Sequence, residues 1–270
     1  MFRTRLISGL VLVVCALIFI MNGGYVLWAV SLALSLVGLM ELYRVFGFHR
    51  TLLGFCGYGF MIFYYLLLLL SEHGIFAANW LLYLIVVMMF YLLVMVCSYP
   101  KYHSNQVIQA VFGIFYVGVM FSFLYQTRGL PRGAYTVWLI FLSSWGCDTC
   151  AYCVGKLIGR HKMSPVLSPK KSVEGAVGGV LGTMLLTYMY ASYFAVPMGI
   201  SQAEVWILAF TSAAGALLSM VGDLTASAIK RNYDVKDYGK LIPGHGGVLD
   251  RFDSVIFTAP VIYYMAYYFV

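Results

Sequence analysis

SAIKRNYDVKDYGKLIPGHGGVLDRFD, residues 227–253, lies between two strongly apolar runs, 204–226 and 251–270. It packs nine Lys, Arg and Asp side chains and His245 into a chain in which only 10% of residues are charged. Working outward from it, 62% of the chain is hydrophobic and the mean hydropathy is +0.88, a composition that excludes a soluble globular domain. A bilayer crossing needs about 20 apolar residues. Runs of about that length recur at 6–21, 24–43, 52–71, 77–97, 107–126, 134–154, 174–198, 204–226 and 251–270. The expected fold is therefore all-α, a polytopic integral membrane bundle of about nine transmembrane helices.

Basic residues resist translocation and so set orientation. Arg3 and Arg5 precede the first apolar run as they would in a signal peptide, but no small-residue cleavage site follows Ile20, and the run reads as a retained helix. With the N-terminus cytoplasmic, fifteen of the seventeen Lys and Arg residues fall inside, and only Arg128 and Arg132 do not. About five helices then occupy 1–130, and the rest occupy 131–270 with cytoplasmic loops at 155–173 and 227–250.

Orientation needs no acids, yet Asp148, Glu174, Asp223, Asp234, Asp237, Asp250 and Asp253 gather in or beside those two loops. A carboxylate at the edge of a membrane helix is costly unless it meets a cation, a metal or water. On a helix, Asp223, Ser227, Lys230 and Arg231 share one face, as do Asp250 and Asp253. The intervening loop can bring the two carboxylate groups together, which makes a hard-metal site plausible, because Mg²⁺ binds a few carboxylates plus substrate phosphate and water. Helix capping by Asp250 and Asp253 is the competing explanation. In GKLIPGHGGVLD, Gly239, Gly244, Gly246 and Gly247 surround His245 ahead of a helix start, the setting of an anion-binding turn.

These residues, in this order, resemble the signature of phosphatidate cytidylyltransferases, also called CDP-diacylglycerol synthases. Ser227, Lys230, Arg231, Lys236, Asp237, Gly239, Pro243, His245, Gly246, Gly247, Asp250, Arg251 and Asp253 carry the resemblance. Upstream, DTCAYCVGKLIGRHKMSPVLSPKKSVEG (148–175) is similar to the family's second block through Asp148, Gly155, Lys156, Gly159, Ser168, Lys170, Lys171, Ser172 and Glu174. The match covers about 145–253; the first five runs share only hydrophobicity.

The resemblance implies transfer of a cytidylyl group from CTP to phosphatidic acid, with Mg²⁺ as cofactor and room for a second metal ion. It implies Asp223, Asp250 and Asp253 as metal ligands, with Asp148 either beside them or orienting a lysine or the nucleotide. Lys170, Lys171, Lys230 and Arg231 would hold phosphates, Ser227 would meet metal or phosphate, and His245 would donate to a phosphate oxygen. Ser168, Ser172, Glu174, Lys236, Asp237, Gly246, Gly247 and Arg251 would complete the substrate site. The family expectation extends to membrane lipids and a homodimer as partners, and to a bacterial inner membrane with the site facing the cytoplasm; nucleic acid is not expected.

SPKKSVEG also reads locally as the start of the seventh helix. Cys147, Cys150 and Cys153 are three apart but lack the fourth ligand of a thiolate metal site, so they read as small apolar packing residues. A transporter would show two related halves, and no repeat is visible. The aspartate motif of a CDP-alcohol phosphatidyltransferase is absent. A CTP-dependent polyprenol or phytol kinase is the nearest enzymatic rival, and a purely structural membrane protein leaves the clustered acids unexplained.

Overall fold

The computed structural model describes residues 2–75, 77–165, 167–244 and 246–269, with backbone alone for residues 2–7. Its long helices are α1 (Phe2–Asn22), α2 (Gly24–Val45), α3 (Leu52–Glu72), α4 (Trp80–Cys97) and α5 (Ser104–Gly129). They continue as α6 (Gly133–Ile158), α7 (Val173–Tyr193), α8 (Gln202–Asn232) and α9 (Leu249–Phe269). Among the described residues six helices, α2 to α6 and α8, are long and apolar enough to cross a membrane. In α7, glycine and threonine dilute the apolar content, and in α9 the opening charges and repeated tyrosines do the same. The chain is a polytopic helical membrane protein.

One element departs from the all-α expectation. The 155–173 loop contains an antiparallel hairpin, β1 (Lys162–Ser164) and β2 (Ser168–Ser172), pairing Lys162 with Ser172 and Ser164 with Ser168. Alternation along β2 separates Lys170 from Lys171, so the two lysines project to opposite faces. Ser172 then caps α7, its Oγ accepting from the Gly175 N–H at 3.1 Å, so the helix-start reading of this block holds.

Two differences in the long helices matter for the site. First, α8 runs on through Lys230 and Arg231 to Asn232, so the expected shared face of Asp223, Ser227, Lys230 and Arg231 is helical throughout. Second, Leu142–Gly146 within α6 is a π-helical stretch just ahead of Asp148, a widening that changes which way the following helix faces.

Helices α6, α7, α8 and α9 pack in sequence against one another, and α9 also lies against α5, α6 and α2. Small residues make the close contacts. A Cβ on Gly178 of α7 would come 2.5 Å from Val154 of α6, and one on Gly222 of α8 would come 2.8 Å from the Asp253 carbonyl of α9. Cys150 of α6 lies against Gly182, and all six cysteines are free thiols. Backbones drawn together in this way bring the charged ends of four helices into one place.

Candidate active site

A cavity of about 850 Å³ opens at that charged end. Asp148 of α6, Asp223 of α8, and Asp250, Arg251 and Asp253 of α9 line it, together with Ser168, Lys170, Lys171 and Ser172 of the hairpin. Carboxylates from three helices thus face one space. Asp253 is within electrostatic reach of Asp223, Asp148 and Lys230, and its Oδ1 accepts from the Ser254 N–H at 2.8 Å. Lys171 forms an ion pair with Asp223, both side chains being about a quarter exposed. Lys170, on the other face of β2, borders the cavity and stays exposed.

Asp250 is held from three sides. Lys230 Nζ reaches its Oδ1 at 2.7 Å, and the backbone N–H groups of Tyr238 and Gly247 donate to Oδ2 at 2.8 and 2.9 Å. The pair is largely shut from solvent, with side-chain exposures of 12% and 3%. Lys230 also lies over the Tyr238 ring at 5.2 Å, and the Tyr238 hydroxyl donates to the Ala226 carbonyl at 3.1 Å. Burial raises the Tyr238 phenol far above its ordinary range, so it stays a neutral donor.

The glycine turn differs from the expected anion-binding surface. Gly244 and Gly246 do adopt positive φ, at 78° and 90°. However, the Gly247 N–H serves Asp250, and the Val248 and Leu249 N–H groups serve Glu41 of α2, at 3.1 and 2.9 Å. Protein carboxylates already occupy the amides that a phosphate would need, because the start of α9 is buried and its donors must be satisfied internally.

Several expected residues lie outside the cavity wall. Glu174 accepts from the Arg160 N–H at 3.0 Å and meets His161 Nδ1 at 2.5 Å, tying α7 to the turn after α6. Arg231 donates to the Val235 carbonyl at 3.1 Å, closing the end of α8. Ser227 is half-buried on α8, while Lys236 and Asp237 are exposed on the loop. His245 lies outside the described residues.

Sequence reading missed Glu41, Tyr238 and an apolar wall. Gly9, Leu12 and Val13 of α1 face the cavity with Trp145, Tyr152, Met163 and Met220. Glu41 did carry a signal: it is a lone carboxylate near the end of the second apolar run.

Among the described residues no group of three or more His, Cys, Asp or Glu closes on a metal ion by itself. The oxygen donors here, without His or Cys, suit a hard divalent cation that completes its shell with water and phosphate.

Fold and site together define a polytopic membrane protein with an ionisable cavity at one end of its helix bundle. The chain belongs to the cytidylyltransferase family, whose model it matches over residues 3–269. It is 31% identical over 271 residues to a phosphatidate cytidylyltransferase of Staphylococcus aureus (strain COL), covering 96% of this chain and 97% of that one. Phosphatidate cytidylyltransferases of Staphylococcus saprophyticus and Staphylococcus epidermidis are 40% and 39% identical over 149 and 147 residues, about half of each chain.

Proposed function

We propose that this protein is a phosphatidate cytidylyltransferase, converting CTP and phosphatidate to CDP-diacylglycerol and pyrophosphate. The observation that carries the reading is the single cavity where Asp148, Asp223 and Asp253 from three helices meet Lys170, Lys171 and Arg251. The family match, which runs nearly the length of the chain, supports it.

A phosphate oxygen of phosphatidate attacks the α-phosphorus of CTP, forming a P–O bond as the bond to the β-phosphate's bridging oxygen breaks. Pyrophosphate leaves with the electron pair. The lipid supplies the nucleophile, so no protein nucleophile is needed. At neutral pH a phosphomonoester carries about 1.5 to 2 negative charges, so no general base is needed either. Catalysis reduces to positioning and charge neutralisation.

Lys170, Lys171 and Arg251 hold phosphoryl oxygens, and Lys230 holds Asp250 in place. Asp223, Asp250 and Asp253 are the residues assigned to Mg²⁺, with Asp148 beside them. When bound, the cation neutralises charge on the α-phosphoryl group and the departing pyrophosphate. The apolar wall from α1 suits the lipid's acyl part.

All nine long helices would cross the bilayer with the N-terminus inside, placing the cavity at the cytoplasmic face of a bacterial inner membrane. The residues 131–270 form the catalytic part on this reading. Purified protein given labelled CTP, phosphatidate and Mg²⁺ should yield a CDP-lipid. Lipid phosphorylation with release of CDP would replace this reading with that of a lipid kinase.

A further inference from the structure

Glu41 belongs to α2, remote in sequence from every residue expected at the site, yet it is only 1% exposed. Both its carboxylate oxygens go to the start of α9: Oε1 accepts from Val248 N–H and Oε2 from Leu249 N–H. The preceding amide, Gly247 N–H, serves Asp250 Oδ2. Three consecutive amides are thus divided between a carboxylate of the cavity and one from a distant helix.

Space is reserved for this contact on the loop side. A Cβ on Gly247 would come 2.5 Å from either Glu41 oxygen, and a Cβ on Gly239 would overlap Oε1. A buried carboxylate is expensive unless its hydrogen bonds are made. Here two amides and the positive end of α9 meet that need. A serine or aspartate in the loop itself could have capped α9. A cap that comes from α2 instead ties the loop to a helix outside the cavity.

We propose that Glu41 is a positioning residue for nucleotidyl transfer: it clamps the Val248–Leu249 backbone to α2 and thereby fixes the Asp250 carboxylate in the cavity wall. It touches no substrate and acts only through the loop. The proposal rests on the activity assigned above, but its structural half can be read without it.

The test uses the full chain in detergent, comparing wild type with Glu41→Gln, Glu41→Ala, Gly239→Ala and the Glu41→Ala/Gly239→Ala double variant. Hydrogen exchange should rise in peptides covering 239–252 in every variant, while the 52–72 helix keeps its protection. Turnover should fall about 10- to 100-fold, the usual cost of removing a supporting partner, with a higher Mg²⁺ requirement. Glu41→Gln, which keeps one acceptor, should lie between wild type and Glu41→Ala. Because the three nearest atoms that a Cβ on Gly239 would meet all belong to Glu41, the double variant should be no worse than Glu41→Ala.

Unchanged exchange at 239–252 would overturn the proposal. So would loss of protection spread equally to 52–72, which would make Glu41 a general stability residue. Additive losses in the double variant would also overturn it. If wild type forms no CDP-lipid, the assigned activity fails, and the exchange pattern still decides whether the clamp exists.

Discussion

Helices α2 to α5 and helices α6 to α9 use the same two kinds of contact in different proportion. In the first group, tyrosine hydroxyls latch one helix to the next: Tyr43 donates to the Ala110 carbonyl at 2.6 Å and Tyr91 to the Leu53 carbonyl at 3.0 Å. Tyr65 meets Ser35 at 2.7 Å. In the second group, glycines and alanines let backbones approach, as Gly178 and Gly179 of α7 do against Val154 and Ala151 of α6. A tyrosine latch fixes a pair of helices while keeping them a ring's width apart. Small-residue contact closes that gap, and only the second arrangement brings Asp148, Asp223 and Asp253 to one cavity.

The sharpest way to break this contrast is to attack the product of the close packing. Asp223→Asn should remove turnover by about 10³-fold or more while the protein stays folded, because it deletes both a metal-ligand candidate and the partner of Lys171. Chelation by EDTA should give the same loss in wild type, with recovery on adding Mg²⁺; activity that persists would remove the metal from the reading. Lys171→Ala should cost on the order of 10²-fold in kcat/KM for CTP. The companion Lys170→Ala tests whether the two faces of β2 share the work. Next in size, Gly178→Leu should overpack the α6–α7 contact by about 1–3 kcal/mol. Its Tm should fall, and turnover should fall with it, because α7 begins directly after Lys171 and Ser172.

Much of the second group was legible in the sequence, since period and composition expose it: Asp223, Ser227, Lys230 and Arg231 share a helix face, and Ser172 announces a helix start. The first group hid a contribution to the site. Glu41 sits in a segment whose other residues show only hydrophobicity, and nothing local says that Val248 and Leu249, some 200 residues later, need its oxygens. The glycine turn misled for a related reason. Positive φ at Gly244 and Gly246 follows from residue type, but which acceptor takes the freed amides is settled by tertiary packing. The hairpin at 162–172 was also hidden, because SPKKS lacks the apolar alternation that marks a strand.

The smallest effect should come from the latches, and it discriminates between the two modes. Tyr65→Phe keeps the ring and deletes one hydroxyl, which Ser35 Oγ meets at 2.7 Å within the buried core. Ser35 retains other local acceptors as a helical serine, so no charge is stranded, and the expected loss is about 0.5–1.5 kcal/mol. Interhelical hydrogen bonds inside membranes average nearer ~0.6 kcal/mol, because the separated helices also find partners. Tm should therefore drop slightly, with kcat and the Mg²⁺ requirement at wild-type values, since the Tyr65 hydroxyl meets Ser35, which does not line the cavity. A large fall in kcat at unchanged Tm would mean that the latches set the geometry of the cavity as well as the cohesion of the bundle. The division between a holding group and a reacting group would then fail.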